Sequence, residues 1–498
     1  MPAAQKQRLE AAELSQERFW AEHVVPRKPG LFAALSPDLA HLPALWTDEH
    51  LIAAAGEARV EMEQRGSAAE GFGKGPDMRV LLTFGEVLRR GAAGDASLYL
   101  TTQAVPTAPD GHPAPYASPI AELARDVPLV PSVMGLLVPQ SINLWLGAAR
   151  DGSSTGLHTD YHDNLYVLLR GRKRFRLYPP QAAKHMYTVG AVAKIHSNGR
   201  IVFKGQGDVL PDGSEAGEAA QWLARRAAET ELAAAEEAAA RDEPGAAKRL
   251  RAAERRLDRV LEAALGEDDW GAIDDFDALE APQPSPAAAA GDPESFSRVD
   301  LHLPDAQLKR QFPLFPGKAA ALECEVQAGQ MLYLPAGWFH EVTSYSTADS
   351  PTHMALNYWY HPPDNLHRGA AAAMEQPYTQ PFWPAVWEGR RREYEARHRP
   401  AQEAQQQQQP AAQAGVAQQA GKPLLQAGRP GRGAADEQAA AGQQSEQAAR
   451  QHPALKERRS ARRGQLVPIT YGLFGVGRRQ HLAAFVDVKG RKRKATGR

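Results

Sequence analysis

Strand-like sequence stops near residue 204 and resumes near residue 296, and residues 205–295 between them are of another kind. That interruption constrains the fold more than any other feature. A β domain split in this way has to be assembled from strands far apart in the chain, with the interruption carried as an insertion. Before it, Arg79–Thr83, Ser97–Thr101, Ser141–Gly147 and Leu165–Leu169 are short apolar runs bounded by turn residues, and they read as strands. After it, Ala320–Val326, Gln330–Leu334 and Met354–Tyr360 read the same way. The insertion itself holds 22 acids and 9 bases. Gly217–Ala240 and Ala246–Leu265, separated by Pro244-Gly245, are rich in Ala, Glu and Arg, and Leu250, Leu257, Val260, Leu261 and Leu265 make one helical stripe. A helical hairpin is expected there, followed by a disordered run, APQPSPAAAAGDP.

The ends of the chain differ again. Ser15–Val25 reads as a helix with Ser15 as its N-cap, Asp48–Ala58 as another, and Trp387–Arg399 as a basic helix. From Pro400 the chain is Gln, Ala and Gly, with five glutamines at 405–409, and cannot bury enough apolar surface to offset its ordering entropy. An apolar stretch at 466–488 precedes the terminal KGRKRKATGR. The expected organisation is therefore 1–204 and 296–398 as two parts of one globular domain, 205–295 as the acidic insertion, and 399–498 as a disordered tail with a basic end.

Charge and cysteine content narrow the function classes. The net charge of −1 conceals −13 over residues 205–295 and +11 over 401–498, so near-neutrality excludes little by itself. The RKRK run reads as a nuclear address or a solvated tail, and nucleic-acid binding is expected only weakly through it. Cys324 is the only cysteine, which excludes a disulfide scaffold and an all-cysteine zinc site and fits a reducing compartment, cytoplasmic or nuclear. The first twenty residues lack the apolar core of a secretory signal. The longest uncharged stretch, Val127–Ala149, contains Pro128, Pro131 and Pro139 with Gln140, Ser141 and Asn143, a composition for buried strands and not for a membrane helix.

The chemistry is concentrated in STGLHTDYHDNLYVLLRGRKRFRLYPP, residues 154–180. Residues i and i+2 of a strand share a face, so His158 and Asp160 project together. His340, in GQMLYLPAGWFHEVTSY, follows a strand and a Pro335/Gly337 turn and is the best third ligand. Two histidines and a carboxylate on one face of a metal leave the other positions open, as in non-heme Fe(II) oxygenases. His162 would extend the row, but His158 and His162 are about 13 Å apart along a strand, too far to share one metal. It is placed at the pocket rim or surface. His353 and His361 read as structural, and His185, His196 and His302 as loop or surface residues.

Three features support the site. Lys173 follows an Arg170-Gly171-Arg172 turn that is expected to fold the next strand back beside the first, presenting a cation to a dicarboxylate. Thr155 and Asn164 offer a hydroxyl and an amide to the same carboxylate. Asn357 and Trp359 share a face of MALNYWYHPP, one polar group and one aromatic wall.

LHTDYHDNLYVLLRGRKRFRLYPP, AGQMLYLPAGWFHEV and MALNYWY resemble the JmjC (cupin-like) family of Fe(II)- and 2-oxoglutarate-dependent oxygenases, most of all its lysyl (3S)-hydroxylase subgroup. The resemblance covers about residues 15–204 and 296–375. It implies a mainly β fold with added helices, a double-stranded β-helix or jelly roll. It implies His158, Asp160 and His340 as iron ligands, Lys173 on the distal carboxylate of 2-oxoglutarate, and Thr155, Asn164 and Asn357 around the co-substrate. Trp359 and Tyr166 would wall the pocket. The cofactors implied are Fe(II), 2-oxoglutarate and O2. The expected reaction is hydroxylation of a protein side chain, lysine above all, on a target such as a translation-associated GTP-binding protein. Histone methyl-lysine demethylation by the same chemistry is the alternative, and a catalytically silent cupin-type binding module is the alternative of another class. A homodimer through Trp387–Arg399 is a further expectation.

Overall fold

A computed structural model describes residues 7–65, 79–105, 114–265 and 293–408. The predicted disordered runs, the apolar stretch 466–488 and the basic terminus lie outside these residues, apart from the helical 400–408. The described chain divides into two compact units, one comprising residues up to Ala219 and then Pro293 to Arg391, the other Ala220–Leu265 and the residues from Arg392.

Eight strands form the heart of the first unit: β1 (Pro139–Gly147), β2 (His158–Thr159), β3 (Asp163–Arg170), β4 (Arg172–Tyr178), β5 (Leu322–Gln327), β6 (Met331–Leu334), β7 (Phe339–Tyr345) and β8 (His353–Tyr360). One sheet runs β5-β4-β7-β2 and the other β6-β3-β8-β1, with every neighbouring pair antiparallel. This is the four-on-four strand order of a jelly roll. Residues 7–8 and 153–154 extend the smaller sheet, and 11–12, 30–32, 98–100, 59–64 and 79–83 extend the larger.

The pleat sorts the side chains. On β4, Lys173, Phe175 and Leu177 are buried while Arg172, Arg174 and Arg176 alternate outward. Cross-strand partners share a face, so the inner row of β7, namely His340, Val342 and Ser344, lies opposite Leu177, Phe175 and Lys173. Phe175, Leu177, Val342, Cys324 and Val326 meet Tyr166, Leu168, Leu332, Leu334 and Ala355 of the larger sheet in one core. A second core under the outer face of the smaller sheet joins Tyr178 and Phe339 to Met186, Phe203, Val299, Leu301 and Leu308.

The Arg170-Gly171-Arg172 turn corrects the sequence reading. It is not a hairpin between hydrogen-bonded neighbours: β3 lies in the larger sheet and β4 in the smaller. Gly171 makes the corner possible, with φ +80° and a Cβ that would stand 2.6 Å from Tyr345 O. Lys173 therefore faces β3 across the core, close to the Tyr166 ring at 5.3 Å.

Other boundaries shift too. The N-terminal helix is a helical turn, Gln16–Phe19, capped by Ser15 as expected, which then widens into a π turn over Trp20–Val24. The insertion begins later than residue 205, since Asp212 and Ser214 are fully buried in the first unit and Asp212 accepts from Trp383 Nε1 at 2.8 Å. His196, read as a loop or surface residue, lies in a loop and is buried there, with Nε2 on Val209 O at 2.9 Å. The helix read from Trp387 starts at Trp383 and runs through Pro400 to Gln408, because Ala, Glu and Gln favour a helix even where they cannot build a core. The expected helices span Ala216–Ala240 and Ala246–Leu265, and within the second unit they are tied by Arg256 and Glu231 at 2.5 Å. Among the described residues no helix is long and apolar enough to cross a membrane.

Gly337 sits in the turn between β6 and β7 with φ +82°, and a Cβ there would stand 1.9 Å from Gly199 O. Gly337→Ala combines left-handed strain with a backbone clash and is expected to cost at least about 2 kcal/mol. The check is a lowered midpoint in thermal unfolding.

Candidate metal centre

β2 pairs with β7 in a register that sets His158 opposite His340, and Asp160 lies just past the end of β2. One ligand atom from each of His158, Asp160 and His340 lies within 4.8 Å of the others. His340 Nε2 is 3.6 Å from Asp160 Oδ2, and the two imidazole centroids are 4.2 Å apart. Each ring is turned by its backbone: His158 Nδ1–H donates to Gly156 O at 3.1 Å and His340 Nδ1–H to Trp338 O at 3.0 Å. That choice of tautomer leaves both Nε2 lone pairs as acceptors or metal donors. Burial, with His340 next in effect, pushes the His158 imidazolium down to about 4, so the ring is neutral at pH 7. Two imidazoles beside a carboxylate are a donor set for a first-row divalent metal.

A network behind the triad holds its two halves together. Asp163, at the start of β3, is fully buried and receives both Arg27 Nη1 at 2.7 Å and Nη2 at 2.5 Å. Tyr333 O–H donates to the same carboxylate at 2.6 Å and Ala336 N–H at 2.9 Å. Gly337 N–H then donates to Asp160 O at 3.0 Å. The turn leading to His340 is thus pinned to the segment carrying His158 and Asp160. Arg27 O accepts from Trp338 Nε1 at 3.0 Å, closing the circuit.

Lys173 lies four residues from Leu177, the partner of His340, a strand offset of about 13 Å. It is 1% exposed, and burial pushes its ammonium down to about 7. Among the described residues no carboxylate forms an ion pair with it. Tyr166 and Tyr99 flank Nζ at 5.3 and 5.8 Å, the Tyr99 hydroxyl meets the Ser344 side chain, and buried His353 has an unpartnered Nδ1. A buried cation among hydroxyls and without an acid fits a carboxylate ligand.

The other expected residues fall into place unevenly. Asn357 Nδ2–H donates to Asn164 Oδ1 at 3.2 Å, and Trp145 Nε1–H donates to Asn357 Oδ1 at 3.0 Å, so both amides are on the inner face. Trp359 stacks on His162 at 6.0 Å, its own Nε1 buried without a partner. His162 stands outside the triad, as the spacing predicted, and packs edge-on against His361. Thr155 is different. Its hydroxyl donates to Gly156 O at 2.9 Å and accepts from Val342 N–H at 3.1 Å, so it is engaged with backbone beside the triad. Tyr99, Ser344 and His353 were missed. Alternation along SLYLTT and FHEVTSY marks Tyr99 and Ser344 as inward, but their convergence on Lys173 depends on pairings across the whole domain.

A jelly roll whose inner face brings two imidazoles to a carboxylate is a β-sandwich with a candidate metal centre. The chain belongs to the cupin-like JmjC family of oxygenases, matching the cupin-like domain over residues 16–366. It is 30% identical over 413 residues to JmjC domain-containing protein 4 of Schizosaccharomyces pombe, covering 71% of this chain and 84% of that protein. The bifunctional peptidase and (3S)-lysyl hydroxylase JMJD7 of Homo sapiens is 24% identical over 352 residues, 69% of this chain and 80% of that protein. The lysine-specific demethylase JMJ32 of Arabidopsis thaliana is 26% identical over 222 residues, 45% of this chain and 42% of that protein. The family implies Fe(II) and 2-oxoglutarate, and the donor set present fits that metal.

Two outcomes test this description. Asp163→Ala leaves the largely enclosed Arg27 without its carboxylate partner and is expected to cost about 3 kcal/mol, read as a lower urea midpoint at unchanged slope. Lys173 has a folded pKa below its unfolded value, so below about pH 7 it costs its full desolvation and the cost fades as pH rises toward 10.5. Lys173→Met should therefore be more stable at pH 7, by roughly a few kcal/mol, with the advantage shrinking by pH 10. Thermal unfolding at the two pH values checks the sign.

Proposed function

We propose that this protein is a Fe(II)- and 2-oxoglutarate-dependent hydroxylase that acts on a side chain of a protein substrate, lysine being the target and a translation-associated GTP-binding protein the kind of substrate. The observation that carries the reading is the convergence of His158, Asp160 and His340 on one face, with a buried unpaired cation four residues deeper along β4. The cation and the triad lie on the same inner face, so a dicarboxylate can be held at both ends. When bound, the iron supplies O2 activation coupled to decarboxylation of 2-oxoglutarate to succinate and CO2, with the second oxygen atom entering a substrate C–H bond.

The chain's own residues bind and orient. His158 and His340 offer Nε2, and Asp160 offers a carboxylate oxygen. Lys173, charged once an anion sits beside it, pairs with the distal carboxylate, and Tyr99 and Tyr166 shield that pair from water. Asn164 and Asn357 hold each other and present amide edges to the co-substrate. Trp359 and His162 form an aromatic wall. No side chain is required as a general acid or nucleophile. The lysine target is supported by two relatives whose names place lysine at the reacting end, one a hydroxylase and one a demethylase. The single buried cysteine suits a cytoplasmic or nuclear setting.

Wild-type protein, Fe(II) and 2-oxoglutarate incubated with cell-extract proteins should leave lysine residues carrying one extra oxygen atom in peptide mass spectra. Loss of a methylene from methyl-lysine would favour demethylation instead. Absence of 2-oxoglutarate binding in anaerobic titration would leave the silent binding module. His158→Ala is expected to lose 2-oxoglutarate turnover, and full turnover in that variant would sink the triad.

A further inference from the structure

β2 is only two residues long and carries His158 of the triad. One of its edges pairs with β7. A strand this short gains little from one ladder, and its free edge would leave His158 on the least secure element of the site. The other edge is not free. The chain returning from the insertion lies along it: Thr159 N–H donates to Ser295 O at 3.2 Å and Ser297 N–H to Leu157 O at 2.8 Å, so Phe296 stands opposite His158 in an antiparallel bridge. Directly opposed residues share a face. The Phe296 ring accordingly stacks on the His158 imidazole, with centroids 4.9 Å apart and planes within 14°. His158 is thus fixed three ways, by Gly156 O at Nδ1, by His340 beside it and by Phe296 on its face.

The returning segment is itself held on its far side. Val189 N–H donates to Phe296 O at 2.8 Å and Gly190 N–H to Glu294 O at 2.9 Å. The Glu294 carboxylate accepts from Tyr161 O–H at 3.0 Å and from Gln206 Nε2. Gln206 precedes the helices of the insertion, Glu294 follows them, and Tyr161 is the residue after Asp160. The departing and returning chain are therefore cross-tied beside the ligand segment.

We propose that Phe296 is a positioning residue for the metal centre, fixing the His158 ring so that its Nε2 is presented together with His340 and Asp160. The stem of the insertion is then part of the metal site and not only a connection. This rests on the reading of the triad as a metal centre. Groups that orient a ligating histidine typically govern metal affinity by ten- to a hundredfold.

The test is anaerobic titration of the full chain with Co(II), followed by the visible absorption of the bound ion, which reports ligand geometry as well as affinity. Phe296→Ala should bind Co(II) about ten times more weakly or worse, with an altered spectrum, and Phe296→Tyr should restore both. Phe296→Leu, which keeps the apolar bulk without the flat ring, is the variant to use if the alanine protein does not fold, and it too should bind more weakly. Leu308→Ala, in the core beneath the smaller sheet, should lower thermal stability and leave Co(II) affinity unchanged. Wild-type affinity and spectrum in folded Phe296→Ala or Phe296→Leu would overturn the proposal alone. Failure of the wild type to bind Co(II) would overturn the metal reading and this proposal with it.

Discussion

A single buried carboxylate, Asp163, carries the geometry of the whole site. Removing it from water is costly, and that cost is offset only because four donors from three parts of the chain converge on it. Arg27 brings in the N-terminal region, Tyr333 the strand β6, and Ala336 the turn that leads to His340. Asp163 also begins β3, three residues after Asp160. The ion pair is therefore a registration device: it sets how far the second half of the domain may slide against the first. With that register set, β2 and β7 pair His158 with His340, and β7 and β4 place Lys173 opposite Ser344. Such long-range ties are what allow a domain to close when its halves are separated by an unrelated segment.

Charge is distributed across the inner face in a consistent way. The triad end holds two imidazoles, of which burial keeps that of His158 neutral, with one carboxylate beside them. The deep end holds a cation without an acid, and burial alone lowers its affinity for a proton. One end favours a metal cation and the other an anion. A ligand that bridges them satisfies both, with the apolar cluster of Phe175, Val342 and Leu168 on the same inner face and the Asn164 and Asn357 amides beside it. The outer face of the smaller sheet follows the opposite rule. There Arg172, Arg176 and their partners Glu325 and Glu341 form ordinary cross-strand pairs at 2.9 and 3.0 Å.

Much of this was legible in the sequence where the signal was local. The strand runs, the Ser15 cap and the interruption itself all depend on composition and short periodicity. The H-x-D pair and the histidine after the Pro335/Gly337 turn could be named because a strand shows i and i+2 on one face. The corner at Gly171 was misread because a hairpin and a crossing between sheets have the same local signature: two strands and a glycine. Which of them forms depends on partners at residues 322–327 and 353–360, far along the chain. Arg27 and Phe296 were invisible for the same reason, being 136 residues from Asp163 and opposite His158 only through a ladder. Thr155 shows the converse, a residue of the right type at the right spacing whose hydroxyl is already engaged with backbone.

The cross-tie among Tyr161, Gln206 and Glu294 has a consequence for how such a chain can change over time. Because the two ends of the insertion are fastened to each other by the domain itself, the domain does not depend on what joins them. Lengthening the connection adds closure entropy only slowly, and that cost falls on the connection and not on the sheets. The domain and its appendage can then vary on separate schedules. The appendage can gain or lose length and charge while the ligand strand keeps the same neighbours.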